Sequence, residues 1–104
     1  MQQFKEEADQ TEVQIPLGEI FEICLNENPT TGFRWNLESR GEPACTLVND
    51  YFSPSGNVPG SGGTHHWSFK AVAPGTSSIH LTSARPWHKG PPARTFRLGI
   101  RAGD

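Results

Sequence analysis

Two cysteines, Cys24 and Cys45, and four histidines, His65, His66, His80 and His88, have the widest chemical range of any side chains in this sequence. A cysteine nucleophile requires a histidine beside it and surroundings that favour the thiolate. Both cysteines fall within alternating apolar segments and the histidines lie far along the chain, so a thiol enzyme is not indicated. His65 and His66 are adjacent, and adjacent strand residues point to opposite faces, so the pair cannot share a zinc ion. His80 falls at a solvent-facing position, and the four histidines read as solvated surface groups. Two cysteines are too few for a disulfide framework and lack metal-ligand spacing. Cys24 has the parity of Ile20 and Glu22, whereas Cys45 has that of Leu47. They are expected to face different ways as free thiols, with a bridge as the lesser alternative. The carboxylates Glu6 and Glu7 lie in an N-terminal stretch, residues 1–11, that reads as flexible and solubilising. No residue is therefore assigned a catalytic role, and neither a metal nor a cofactor is expected.

The elements that must carry any binding residues are short. Eleven glycines and nine prolines make up close to a fifth of the 104 residues, a breaker content that suits turn-rich β domains. Period-two alternation recurs through Val13-Ile15-Leu17, Phe21-Ile23-Leu25, Phe33-Trp35-Leu37, a run from Cys45 to Phe52 with Leu47 and Tyr51 on one face, Trp67-Phe69-Ala71, Ile79-Leu81 and Phe96-Leu98-Ile100. One-sided strands must bury that side against another such face. The expected fold is an all-β, immunoglobulin-like sandwich of two antiparallel sheets with seven to eight strands, forming one domain over residues 1–104. The Cys…Trp…Cys spacing of antibody domains is missing. A formal charge of −2 argues against a nucleic-acid partner. No apolar run approaches the roughly 20 residues that span a membrane. The opening MQQFKEEADQTEV has no apolar h-region. The compartment is left open: cytoplasmic as the sequence stands, secreted or periplasmic if a signal has been trimmed.

Three connections stand apart. In Asn28-Pro29-Thr30-Thr31-Gly32, ahead of Phe33, Pro29 fixes its own φ and pushes Asn28 into an extended conformation. Asn28 is suited to bond the backbone two residues on, Gly32 supplies a positive φ, and the β-branched threonines lose little freedom when held. The expected result is a preformed polar knuckle. In Pro59-Gly60-Ser61-Gly62-Gly63-Thr64 the bare backbone is fit to trade main-chain hydrogen bonds with another chain. It lacks the lysine ending and the following helix of a phosphate loop. In Arg85-Pro86-Trp87, ahead of His88-Lys89-Gly90, a tryptophan beyond the end of the strand alternation and flanked by arginine has hot-spot composition. Alone, the first loop reads as an ordinary turn and the second as a flexible connector, and Trp87 reads equally as a lid folded back over the sandwich end. In a sandwich, however, connections after the second, fourth and sixth of seven strands emerge at the same end.

NPTTGF, GSGGT and RPW in this order, on a sandwich of this length, resemble the chagasin-type family of cysteine-peptidase inhibitors. The resemblance runs from about Pro16 to Ile100 and includes LGE at 17–19 and NDYFSP at 49–54. It implies a reversible inhibitor of papain-like cysteine peptidases that plugs the active-site cleft with three loops, one inhibitor to one peptidase. It places Thr30 and Thr31 at the catalytic centre and Gly60, Gly62 and Gly63 along the non-primed side. It sets Arg85, Pro86 and Trp87 on the primed side, with Trp87 against an aromatic of the enzyme. Phe33 stands where some members carry tyrosine. The competing expectation is a generic immunoglobulin-like adhesion or scaffold module that uses the same loops on an unrelated protein. In either case a monomer is expected for the free chain. His65, His66 and His88, in or beside two of the loops, suggest that affinity varies between pH 5 and 7.5.

Overall fold

Alternating apolar residues set the strands, and their one-sided faces set the layers. The computed structural model describes residues 1–56, 60 and 62–103. In chain order the strands are β1 (Gln2–Phe4), β2 (Thr11–Ile15), β3 (Ile20–Glu27), β4 (Arg34–Arg40), β5 (Cys45–Pro54), β6 (Gly63–Ala71), β7 (Gly75–Ala84) and β8 (Arg94–Ala102). They form two four-stranded sheets, ordered β1-β3-β6-β5 and β2-β8-β7-β4. Phe21, Ile23 and Leu25 of β3, with Trp67 and Phe69 of β6, share one core with Trp35, Ile79, Leu81, Phe96, Leu98 and Ile100 from the other sheet. Nearly all of these side chains are fully buried. Each such burial is worth about 1.5–3 kcal/mol, which makes this core the main support of the loops above it.

Four features depart from the sequence reading. The sheets are mixed and not purely antiparallel, because β1 runs parallel to β3 and β2 parallel to β8. Residues 1–11 are built into the fold. Phe4 packs edge-on against Phe21 at 6.1 Å, the Glu6 carboxylate accepts from the Asn26 amide at 2.6 Å, and residues 6–8 form a single 3-10 turn. Leu17 lies in the turn after β2 and is half exposed. Tyr51 does not share a face with Leu47. A bulge between Leu47 and Asn49 reverses the phase of β5, so Leu47 pairs with Phe69 on the core side and Tyr51 pairs with His66 on the outer side. Cys24 and Cys45 are both free and buried, on opposite sides of the first sheet as expected. Burial pushes the Cys45 thiol up to about 11.

Candidate functional site

The chain crosses from the first sheet to the second through Asn28–Gly32, between β3 and β4. Asn28 is extended at φ −124°, ψ 92°, and Pro29–Thr31 make one 3-10 turn that ends at Gly32 with φ 87°. The Asn28 side chain accepts from the Thr30 amide at 3.2 Å and from the Thr30 hydroxyl at 2.5 Å, while the Thr31 hydroxyl donates to the Asn28 carbonyl at 2.8 Å. Both threonines are thus tied back to one asparagine. The turn is held from within by side chains, which is what two β-branched hydroxyls provide and an Asn-Gly turn would not.

The other two connections are hairpins, β5–β6 in the first sheet and β7–β8 in the second. Each is fastened to the NPTTG turn. On one side the Asn28 amide nitrogen donates to the Gly60 carbonyl at 3.0 Å, and Gly62 lies so close that an added Cβ would meet Asn28 at 3.2 Å. Gly60 and Gly62 have φ of 84° and 73°, the left-handed region that favours glycine. At Gly63 a Cβ would sit 2.2 Å from the Ser53 carbonyl, so only glycine fits where β5 and β6 close. Thr64 follows within β6. Ser61 and Pro59 lie outside the described residues.

On the other side Arg85 is the fastener. Its Nε donates to the Thr31 carbonyl at 3.0 Å, and its guanidinium lies 4.5 Å over the Phe33 ring and 5.9 Å from the Trp87 ring. Trp87 is 69 % exposed, yet an added Cβ on Gly32 would meet its ring at 2.7 Å. Pro86 is exposed beside it, and His88 turns back to the Pro91 carbonyl at 3.2 Å. Sequence reading marked Arg85 for outward contact; here it also braces two loops. Thr31, Gly62 and Trp87 therefore lie at one end of the molecule, with the NPTTG turn in the middle.

Beneath this edge lies a layer that sequence reading missed. Glu27, 7 % exposed, accepts from the Trp35 amide at 2.8 Å and contacts His65 Nδ1 at 3.0 Å. His65 Nε2 reaches Asp50 at 2.9 Å, and the ring stacks on Trp67 at 4.1 Å. The Trp35 indole donates to the Asn26 carbonyl at 2.9 Å, under the Arg94 guanidinium at 4.9 Å. His65 and His66 are partly buried and paired with carboxylates, contrary to the expectation of solvated rings. The reason is register: Glu22, Glu27 and Asp50 come from other strands, and the pairing sets them beside β6. His65 and His66 do face opposite sides, as alternation requires.

The two-sheet scaffold thus gathers three loops at one end, the outer two each fastened to the NPTTG turn, a form suited to docking on another protein. The sequence profile of the chagasin family peptidase inhibitor I42 matches residues 14–100. Chagasin from Trypanosoma cruzi is 42 % identical over 78 residues, 70 % of this chain and 71 % of that protein. Among solved structures, the cysteine protease inhibitor EhICP2 from Entamoeba histolytica superposes with a TM-score of 0.84 at 24 % identity, covering 97 % of this chain and 93 % of that one. PbICP-C, solved in complex with falcipain-2, superposes with a TM-score of 0.63 at 17 % identity, over 99 % of this chain and 98 % of that one. The chain belongs to the chagasin family of peptidase inhibitors, a family of inhibitors and not of enzymes.

Proposed function

We propose that this chain is a reversible inhibitor of papain-like cysteine peptidases, acting as one domain that seats its three-loop edge in the active-site cleft of a single enzyme molecule. The observation that carries the reading is the cross-bracing of the NPTTG turn, by Asn28 to Gly60 on one flank and by Arg85 to the Thr31 carbonyl on the other. In the bound state Asn28, Pro29, Thr30, Thr31, Gly32 and Phe33 fill the centre. Gly60, Ser61, Gly62, Gly63 and Thr64 lie along one side, the last two already paired with β3 and β5, and Arg85, Pro86 and Trp87 pack on the other. The proteins of known structure that share this fold include a cysteine protease inhibitor and a partner of falcipain-2, which supports that class of target.

The physics of resisting cleavage follows from the turn. A peptidase cuts an extended segment whose carbonyl lies about 3 Å from the nucleophile and the oxyanion donors. Here the turn is 3-10, and the Thr31 carbonyl already accepts from Arg85. The segment occupies space without offering a strand. Because the loops are ordered before binding, little conformational entropy is lost on docking and contacts appear as affinity, mainly through a slow off-rate. The test is a titration against papain with a fluorogenic peptide. Stoichiometric, reversible loss of activity with the inhibitor chain uncut is expected; full activity at micromolar excess would overturn the reading.

A further inference from the structure

Glu22 and Cys24 lie on the outer face of β3, at the same parity as the exposed Ile20, yet each is only 4 % exposed. Two neighbours cover them. Gln3 of β1 lies beside Glu22 in the parallel register, and His66 of β6 is the cross-strand partner of Cys24. Tyr51 stacks flat on the His66 ring at 4.4 Å and 7°.

Within this cover, three different donor atoms converge. Cys24 Sγ is 3.0 Å and His66 Nδ1 is 3.0 Å from Glu22 Oε1, and Sγ and Nδ1 are 3.4 Å apart. Gln3 Nε2 also reaches that oxygen, at 3.1 Å. Three polar atoms crowd that one carboxylate oxygen, and with its hydrogen on Nε2 the His66 ring turns the Nδ1 lone pair toward the same point. The triangle is nearly the face of a tetrahedron. Zinc bonds of about 2.3 Å to sulfur, 2.0–2.1 Å to nitrogen and 2.0–2.2 Å to oxygen put ligand atoms about 3.3–3.7 Å apart, so an ion enters if the two 3.0 Å edges open by about 0.3–0.7 Å and the 3.4 Å edge by less.

We propose that Glu22, Cys24 and His66 form a site for one tetrahedral divalent ion of the zinc class, with a solvent molecule as the fourth ligand. On binding, the Cys24 thiol proton leaves to solvent and sulfur bonds the metal as thiolate. His66 binds through Nδ1 as the neutral imidazole with its hydrogen on Nε2. Thiolate and carboxylate together neutralise the dication, so the enclosed site carries no net charge. Sulfur and imidazole select zinc or cobalt over magnesium or calcium. Gln3 then stands beside the carboxylate ligand and orients it. The neighbouring cluster is built differently. His65 holds Glu27 on Nδ1 and Asp50 on Nε2, on opposite edges of its ring, and those carboxylates cannot meet at one ion.

The experiment titrates the intact, chelator-stripped protein with cobalt(II) without oxygen. A near-ultraviolet thiolate-to-cobalt charge-transfer band, with the visible bands of tetrahedral cobalt, should saturate at one ion per chain and bleach on adding zinc. Cys24→Ser should abolish the charge-transfer band and Cys45→Ser should retain it, while both variants keep the native circular dichroism and still inhibit papain. His66→Ala should weaken cobalt binding at least tenfold. The proposal is overturned if native-like wild-type protein shows no charge-transfer band at saturating cobalt. It is equally overturned if the band survives in Cys24→Ser. Isothermal titration of wild type with zinc gives a second readout should Cys24→Ser fail to fold, and absence of heat there also refutes the site.

Discussion

His65 and His66 are consecutive residues of β6, and they take part in two unlike constructions. On the inner side, His65 is one link in an extended line from Asp50 through Glu27 to the Trp35 amide, so a side-chain line ends on the backbone that leads out of the NPTTG turn. On the outer side, His66, Cys24 and Gln3 close in on a single oxygen of Glu22. The inner line ties two sheets together beneath the loops. The outer cluster ties three strands of one sheet and touches no loop proposed to bind. Alternation assigns a face, whereas the chemistry on that face depends on which distant strand is paired there.

The largest effects are expected at the loop edge itself. Gly32→Ala places a Cβ at a φ of 87° and 2.7 Å from the Trp87 ring, so two loops must move. We expect inhibition of papain to weaken by well over tenfold, from about 1–3 kcal/mol of backbone strain plus the lost docking of Trp87. Thr31→Ala, which loses one exposed hydroxyl bond, should cost about 1 kcal/mol or less. Equal inhibition constants for Gly32→Ala and wild type would refute this account of the turn. Trp87→Ala comes next. It should cost more than about 1 kcal/mol of binding, read mainly in the off-rate, and leave thermal stability unchanged because the ring is exposed.

Deeper in, Glu27→Ala leaves the Trp35 amide and His65 without their buried acceptor. About 1–3 kcal/mol of stability should be lost, with weaker inhibition as the turn loosens. A denaturation midpoint that falls while inhibition stays intact would separate the inner line from the loops. The smallest effect belongs to the outer cluster. Burial pushes the Glu22 carboxyl up, but hydrogen bonds from Cys24 and His66, the charge of His66 and the Gln3 amide outweigh it and hold the group below its ordinary 4.5. A carboxyl whose pKa is lowered by folding stabilises fully above 4.5, and that stability is lost as pH falls below it. Metal-free wild type should therefore lose stability more steeply than Glu22→Gln on acidification below 4.5, with inhibition at neutral pH equal in both. Parallel acid profiles would show that Glu22 contributes nothing to acid stability.

Much of this was legible from residue types alone. Phe21, Ile23 and Leu25 declare a buried face by spacing, and Asn28, Pro29 and Gly32 declare their turn by what each backbone permits. The gathering of three loops follows from counting strands in a sandwich. What stayed hidden is non-local. Nothing in Gln2–Phe4 announces a parallel partner, since three residues hold too little pattern to read. The bulge that turns Tyr51 outward adds one residue to one strand and leaves no mark in composition. The burial of His65 and His66 comes from carboxylates up to 44 residues away. Cys24 shows the same limit, its thiol raised to about 12 by burial and by the nearby Glu22, a neighbour that alternation places on the same face without showing that the face is covered.

The short parallel strands at the start of the chain have a consequence for handling the molecule. β1 borders one sheet and β2 borders the other, so residues 2–15 hem both layers. A version trimmed to begin at Pro16 would keep every loop residue but bare the margins of β3 and β8, where another copy could add a strand. Its first symptom would be clumping in the tube, with the grip on a protease still measurable in whatever stays dissolved.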